Sequence, residues 1–265
     1  MGANGEADMG SVSTLQSRST ASDHSGPVTS FSESVSLLLD RIDCRPAASR
    51  EEREAIFRLR YQAYLRDGSI FPNDSGLFSD PYDETGNVYL FGFYIADELA
   101  GSIRIHVASK DHPEFPTLEV FQDILQPELD AGKVIVDPTR FVADDNLARL
   151  HRGLPYVITR LCGMAARYFG ADNLLAAVRV EHQAFYRRIF NHQVVGEPRP
   201  YPHLAKPISL MTNDYQAVWR DVHRRYPFLR STHTERRMLF ERKALVRDAF
   251  DPRVAPKDEA RSEEY

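Results

Sequence analysis

Charged side chains at the ends of apolar segments are the feature of this sequence that most restricts its fold. They are Arg60, Asp80, Asp83, Arg104, Asp137 and Arg140, and they come from segments that are far apart along the chain. An isolated charge is expensive to bury, so each of these groups needs a partner of opposite sign. The sequence therefore predicts a network of ion pairs beside a hydrophobic core.

The composition indicates one globular domain with additions rather than two full domains. The chain has 265 residues, and 42% of them are hydrophobic, which is enough for a substantial core. A net charge of −5 gives no general argument for nucleic-acid binding. Neither a stretch of roughly 18 apolar residues nor the apolar region of a signal peptide is present, so no membrane insertion is expected. Cys44 and Cys162 form neither a metal motif nor a disulfide framework, which favours the reducing cytoplasm.

The two ends of the chain differ in composition from its centre. Residues 1–32 are rich in Ser, Thr, Gly and Asp, and they are predicted to be a disordered leader. Residues 33–215 are predicted to form the globular domain. Residues 216–265 are predicted to be a basic helical extension with a polar tail.

The extension is strongly basic over residues 219–248, which hold nine Lys or Arg against four acids. The simpler interpretation is an amphipathic helix that packs through Met238, Leu239 and Leu245. The alternative is a docking face for an acidic partner.

Hydrophobic periodicity predicts alternating strands and helices. We expect a strand at 37–42 that continues to Cys44, a helix at 49–65, a hairpin of strands 88–96 and 101–108 joined at Asp97-Glu98, a strand at 133–142, a helix at 154–169, a strand at 174–180, a helix at 182–190, and strands at 193–196 and 208–211. Ser49 and Glu52 form a capping box at the start of the first helix. Pro138 is expected to interrupt strand pairing and to mark a bulge or an edge. The order predicts an α/β protein with a mixed sheet and helices on both faces.

This order and several of its segments resemble the GNAT acyltransferases. Within that group they resemble the acyl-homoserine lactone (autoinducer) synthases and the related long-chain N-acyl amino acid synthases. Residues 56–64 are similar to the opening helix of those enzymes, and residues 80–83 (Asp-Pro-Tyr-Asp) to their acidic pair. Arg104 is similar to their second arginine, and residues 137–141 (Asp-Pro-Thr-Arg-Phe) to their Glu-x-x-Arg-hydrophobic strand. The resemblance covers about residues 40–212 and implies a three-layer α-β-α fold.

The resemblance also implies an activity, namely that of a bacterial N-acyltransferase that joins a medium or long acyl chain from acyl carrier protein to the amine of an amino acid. One alternative is an acyl-homoserine lactone synthase that uses S-adenosylmethionine. An alternative of another class is a non-catalytic acyl-binding or regulatory protein. Tyr64 stands where lactone synthases tend to have Phe, and Asp137 stands where the family usually has Glu, which favours the first assignment.

The acyl donor is expected to be a carrier-protein thioester rather than coenzyme A, with no separate cofactor. Coenzyme A-dependent members hold pyrophosphate on a Gln/Arg-x-x-Gly-x-Gly/Ala turn, and residues 147–155 (Leu-Ala-Arg-Leu-His-Arg-Gly-Leu-Pro) do not match that pattern. Arg149, Arg152 and Lys133 are candidates to meet acidic side chains of the carrier. The alternative is that these three cations are simply solvated.

Acyl transfer requires an amine that loses a proton, a stabilised oxyanion and a protonated leaving thiolate. Asp137 is the candidate proton acceptor, although an ion pair with Arg140 would lower its pKa and leave it mainly an electrostatic role. Bulge amides near Val136 or Asp137 are candidates for the oxyanion site. Tyr186 is similar to the acetyltransferase Tyr that protonates the thiolate, with a buried core aromatic as the alternative.

The catalytic candidates are thus Asp137, Arg140 and Tyr186. The residues expected to bind substrate or organise the site are Arg60, Tyr64, Asp80, Asp83, Arg104 and Phe141. One arginine of the network is expected to bind the carboxylate of an amino acid, since Arg suits bidentate recognition. The nine histidines show no metal-binding spacing. His106 is expected to be packed, and His151, His182 and His192 to lie at the surface or at an interface.

Overall fold

A computed structural model describes the backbone of residues 30–246 and the side chains to Glu241. Within that range the helices are α1 (Phe31–Leu39), α2 (Arg50–Arg66), α3 (Pro116–Val120), α4 (Gln122–Asp130), α5 (Asp145–Leu150), α6 (Leu154–Tyr168), α7 (Gln183–Phe190), α8 (Tyr215–Arg225) and α9 (His233–Val246). The strands are β1 (Ile42–Pro46), β2 (Val88–Ile95), β3 (Glu98–Ala108), β4 (Ile135–Ala143), β5 (Asn173–Val178), β6 (Gln193–Arg199) and β7 (Ile208–Asp214).

The strands form one mixed sheet in the order β1-β2-β3-β4-β5-β7-β6. All neighbouring strands are antiparallel except β4 and β5, which are parallel. These two strands pair only at Ile135 with Asn173 and Val136 with Leu174. Beyond Val136 they separate, and their diverging ends open a cleft in the middle of the sheet.

Helices cover both faces of the sheet, which confirms the predicted three-layer α-β-α arrangement. Apolar side chains of β2 and β3, such as Phe91 and Ile103, pack with α6 on one face. On the other face α2 packs on Leu90, and α4 packs beside Ile135. Because successive side chains of a strand point to opposite faces, one face of the sheet is apolar and the other face also carries the charged side chains.

Two predicted elements are confirmed by their local geometry. The Ser49 hydroxyl accepts from the Glu52 amide while the Glu52 carboxylate accepts from the Ser49 amide, so the capping box starts α2. The β2–β3 hairpin turns at Ala96 and Asp97, both with positive φ, one residue before the predicted turn. Positive φ at both central residues is the geometry of a type I′ turn, which matches the twist of the flanking strands.

The segment before β1 differs from the sequence prediction. Residues predicted as the start of a strand belong to helix α1, and the strand begins only at Ile42. A capping box of Ser30 and Glu33 starts α1 and was missed. The predicted leader, residues 1–32, lies outside the described range except for Ser30 and the first two residues of α1.

The C-terminal extension packs onto the domain, as the simpler interpretation predicts. The Phe240 side chain is 1% exposed, with ring centroids of Phe91 and Tyr168 at 5.6 and 5.5 Å. Arg160 of α6 binds both carboxylate oxygens of Glu235. The contact residue is Phe240 rather than Met238, which is 56% exposed, and the polar tail lies outside the described residues.

Between residues 30 and 246, none of the helices has the length and apolar character needed to cross a bilayer.

Candidate active site

A cavity of about 560 Å³ lies where β4 and β5 diverge. Its walls come from the end of α2, from β4 and β5, from α7 and from the β6–β7 connection. The predicted site residues among its lining are Tyr64, Arg140, Phe141 and Tyr186. These four residues come from α2, β4 and α7, which are distant in sequence and meet only in the folded chain.

A β-bulge in β4 forms one wall of this cavity. Ser102 pairs with Val142 and Arg104 with Thr139, so Arg140 and Phe141 together face only Ile103 on β3. Arg140 has a φ of 53°, a left-handed conformation that is uncommon for a residue with a side chain. The bulge is therefore at Arg140–Phe141 and not at Pro138, which pairs with Ile105.

The predicted ion-pair network is present and links the long loop after α2 to the sheet. Arg60 lies 2.8 Å from Asp83, and Arg104 lies 2.5 Å from Asp80 and 3.2 Å from Asp83. Arg140 lies 2.6 Å from Asp80. Asp80 is thus shared by two arginines, and both of its oxygens are used.

Burial and ion pairing shift the pKa values of the charged groups in this network in opposite directions. Burial alone would raise the pKa of Asp80, but hydrogen bonds and charges of Arg104 and Arg140 outweigh it and hold that pKa well below its ordinary value. Arg60 and Arg104 lower the pKa of Asp83 in the same way. Burial lowers the pKa of Arg60 to about 10, so it too stays charged at neutral pH.

The three arginines do not have equivalent positions. Arg60 and Arg104 are fully buried and are not part of the cavity lining. Arg140 is also buried but lines the cavity, and its guanidinium lies 4.4 Å from the ring centroid of Phe78 and 5.7 Å from that of Tyr64. Arg60 and Arg104 therefore hold the loop, and Arg140 connects that network to the cavity.

Asp137 does not pair with Arg140, so this expectation was wrong. Its carboxylate accepts a hydrogen bond from Thr117 of α3 at 2.9 Å, on the sheet face opposite α6. Asp137 is fully buried and is not among the cavity-lining residues. Burial raises its pKa to about 6, against the effects of Thr117 and Arg104. The sequence missed this because α3, which brings Thr117 to Asp137, was not predicted.

The raised pKa of Asp137 predicts a pH-dependent loss of stability. The folded protein holds this proton to about pH 6, whereas the unfolded chain releases it near the ordinary value of 3.8. Stability therefore falls as pH rises through this window, by roughly 3 kcal/mol for a shift of about two units. Asp137→Asn removes the titration, so we expect the variant to gain stability relative to the native protein between pH 4 and pH 7.

Urea unfolding of both proteins across that pH range measures the difference. Asp111→Asn, at an exposed carboxylate, is the matched control. A constant difference between Asp137→Asn and the native protein at all pH values would contradict the assignment.

Tyr186 is half-buried and faces the cavity from α7. Burial raises the pKa of its hydroxyl, which therefore carries its proton at neutral pH. The helix ends at Asn191, which adopts the left-handed conformation with a φ of 56°. Asn191 thus closes the helix in the manner usually supplied by Gly.

The histidines divide differently from the prediction. His106 is buried as expected, and burial lowers its pKa to about 3. His192 was predicted at the surface or at an interface but is 1% exposed, with a ring nitrogen 2.9 Å from the Leu174 carbonyl oxygen. His182 is exposed and lines the cavity.

Four charged residues at the cavity mouth were missed: Arg66, Asp67, Arg179 and Lys206. Each stands at the end of an element or in a connection, where periodicity gives no signal. Only the fold brings them together.

Among the described residues, no group of three or more potential metal ligands is present.

The fold and the cavity define an acyltransferase of the GNAT type, with a mixed sheet opened between β4 and β5. The sequence matches the family model of the N-acyl amino acid synthase FeeM over residues 55–214, which is more than half of the chain. The chain belongs to this family of acyltransferases. Comparison with curated protein sequences gives no match.

The solved structure of one N-acyl amino acid synthase supports the fold, and two other acyltransferase structures are less similar. The N-acyl amino acid synthase FeeM from uncultured soil microbes is 18% identical, with a TM-score of 0.56, over 68% of this chain and 94% of that one. The CoA-dependent acyl-homoserine lactone synthase BjaI is less similar, with 14% identity, a TM-score of 0.48 and coverage of 71% and 89%. An acyl-CoA N-acyltransferase from Pseudomonas aeruginosa has 18% identity, a TM-score of 0.45 and coverage of 65% and 97%.

Proposed function

We propose that this protein transfers an acyl chain from a carrier-protein thioester to the amine of an amino acid, giving an N-acyl amino acid. The observation that carries the proposal is the cavity between β4 and β5. It places a protonated phenol, Tyr186, and a strand bulge, Arg140–Phe141, on the walls of one space. Its interior is largely apolar and its mouth is charged, which suits a ligand with an acyl chain and a polar end.

The reaction follows from these groups. The amine nitrogen attacks the thioester carbon, and the carbonyl oxygen becomes an oxyanion. A bulge leaves one extra residue outside the strand ladder, so we assign a backbone N–H of the Arg140–Phe141 bulge to the stabilisation of the oxyanion. The C–S bond then breaks and the thiolate takes the Tyr186 proton. The proton lost by the amine passes to water at the mouth, and water returns a proton to the Tyr186 phenolate, so the net transfer is from the amine to the thiolate.

Asp137 acts indirectly in this scheme. It is a buried residue of β4 that pairs with His106 of β3, and it is not among the residues that line the cavity. It supports the strand through Thr117. Arg140 likewise positions the bulge, since its guanidinium is held by Asp80 and by the rings of Tyr64 and Phe78.

The start of α6 favours the carrier-protein donor over coenzyme A. Gly153 has a φ of −78°, and a Cβ there would come within 3.2 Å of Val35 and 3.3 Å of Leu38. Its small size therefore serves close packing on α1 rather than a turn that wraps a pyrophosphate. In this proposal the turn binds no more than the single phosphate on the prosthetic arm of the carrier protein, and not the pyrophosphate of coenzyme A.

Two of the three cations suggested for carrier docking flank this same turn. Arg149 and Arg152 are exposed just before α6, whose Pro155 lines the cavity. Lys133 stands before the opposite end of β4. Arg149 and Lys133 each have an acidic partner, Asp145 at 2.6 Å and Glu128 at 2.5 Å, so position rather than pairing separates them. We therefore retain Arg149 and Arg152 as carrier contacts and omit Lys133.

Expression in a bacterial host, with mass spectrometry of organic extracts, tests the function. N-acyl amino acids support the proposal, whereas acyl-homoserine lactones would support the S-adenosylmethionine-dependent alternative. Purified protein is then assayed with acyl carrier protein and coenzyme A thioesters against a panel of amines. No product with any pair would leave only a non-catalytic, acyl-binding role.

Tyr186→Phe removes the proposed proton donor and keeps the ring. General acid catalysis contributes about 100-fold or more, so kcat is expected to fall by about that factor. The KM values should change little, because the cavity keeps its shape. Tyr61→Phe, which removes a hydroxyl of α2 that contacts Asn73, is the control. Unchanged kcat in Tyr186→Phe would assign the residue a packing role only.

A further inference from the structure

The mouth of the cavity carries more positive than negative charge. Arg66, Arg179 and Lys206 line it, and Asp67 is the acid among the described lining residues. Arg140 also lines the cavity, but Asp80 neutralises it from behind. An excess of cations therefore remains at the mouth itself.

Asp67 neutralises only part of this positive charge, since it is one carboxylate among three cations. Its carboxylate lies 2.8 Å from Arg179 and 3.7 Å from Lys206, and it also accepts from the Ser69 hydroxyl. Arg179 has two further partners besides Asp67. The Glu181 carboxylate lies at 3.2 Å and a His182 ring nitrogen at 2.7 Å from its guanidinium. These contacts join the end of α2 to the start of α7 in a fixed frame.

Two cations of the mouth retain free donors. Arg66 stands in the last turn of α2 with an exposed side chain, and it has no acidic partner among the residues that the structure describes. Lys206 donates to the carbonyl oxygen of Asp67 at 2.7 Å. An ammonium has three N–H donors, so this bond leaves others available. Lys206 is thereby held at Asp67, the residue that follows Arg66 in the chain, and both cations line the cavity.

We propose that Arg66 and Lys206 form an anion subsite at the cavity mouth. It would take the carboxylate or phosphate of a ligand whose apolar part lies in the cavity. The inference rests on the proposed function, which supplies two anions of this kind: the carboxylate of the acceptor amino acid and the phosphate on the prosthetic arm of the carrier. Guanidinium and ammonium groups bind both through charge-assisted hydrogen bonds.

This assignment replaces the expectation that an arginine of the buried network binds the substrate carboxylate. Arg60 and Arg104 have no exposed surface, and both are paired with carboxylates. Arg140 would have to release Asp80 to bind a second carboxylate. Arg66 and Lys206 need no such exchange.

Binding of two pairs of probes to the full chain tests the subsite by calorimetry. N-lauroyl-glycine and N-lauroyl-glycinamide differ in one carboxylate, and phosphopantetheine and pantetheine differ in one phosphate. The variants are Arg66→Ala, Lys206→Ala and the control Arg58→Ala. Arg58 is an exposed arginine of the same helix that does not line the cavity.

We expect the native protein to prefer the anionic member of at least one pair, and Arg66→Ala and Lys206→Ala to weaken its binding about five- to tenfold. The uncharged member should be unaffected. Loss confined to N-lauroyl-glycine assigns the subsite to the acceptor, and loss confined to phosphopantetheine assigns it to the carrier arm. Loss for both means that the two anions use the same cations.

The proposal is overturned if Arg66→Ala and Lys206→Ala bind every probe as Arg58→Ala does, or if the native protein prefers neither anion. Acyl transfer is assayed separately. A protein that selects anionic probes but transfers no acyl group would refute the proposed function and keep the subsite.

Discussion

Asp80→Asn is expected to lower the free energy of unfolding by about 3–5 kcal/mol, the usual effect of removing one partner from a buried ion pair. Asp80 is 4% exposed in its side chain and faces both Arg104 and Arg140. The amide keeps an oxygen that can accept from the Tyr82 amide, as Asp80 does now, so the local turn is preserved. The variant therefore removes the charge and one of the two acceptor oxygens without disturbing the turn.

Of the two arginines that contact Asp80, Arg140 is expected to lose more electrostatic stabilisation. Arg104 still has Asp83 at 3.2 Å, whereas Arg140 has no other acid within 4.0 Å in the described structure. The bulge at Arg140–Phe141 should lose its support, and acyl transfer should fall together with stability.

Chemical denaturation followed by far-UV circular dichroism measures the free energy of unfolding. Asp74→Asn is the matched control, since Asp74 is an exposed acid of the same loop. A loss in Asp80→Asn no larger than in Asp74→Asn would mean that the buried arginines are solvated or paired in another way.

Phe240→Ala is expected to cost about 3–5 kcal/mol of stability, as large-to-small substitutions of buried aromatic residues do. The Phe240 ring is 1% exposed and packs among the rings of Tyr89, Phe91, Tyr168 and Phe169. Removing it leaves a cavity between α9 and the sheet. Met238→Ala, two residues away at an exposed position, should change stability by less than about 0.5 kcal/mol.

The same contacts predict the result of deleting the extension. Truncation after Asp214 would expose the apolar faces of Tyr89, Phe91 and Phe169, so we expect an aggregated or unfolded product. The docking interpretation predicts instead a folded enzyme with a raised KM for the carrier protein. Size-exclusion chromatography and circular dichroism of the truncated chain separate the two results, and a folded monomer would contradict the packing assignment.

Parts of the fold were predictable because they depend on local patterns. The capping box at Ser49, the aromatic strands of the hairpin and the apolar stripe of α6 each fix an element within a few residues. The segment 116–130 was not assigned, since two short helices with prolines leave no clear period. The role of Asp137 was misassigned for this reason, because Thr117 belongs to that segment.

The candidate site was likewise predictable only in part from the sequence. The sequence by itself determined that Arg60, Arg104 and Arg140 need carboxylate partners, since buried charge requires opposite charge. It identified Asp80 and Asp83 correctly and Asp137 wrongly. It also determined the family and the order of the layers. The tertiary structure alone decided which groups face the cavity. It did so through the divergence of β4 from β5, the bulge at Arg140–Phe141 and the placement of Arg66 and Lys206 in one cavity lining. Those features depend on strand register and on contacts between distant segments, and neither is encoded in the local pattern of a chain.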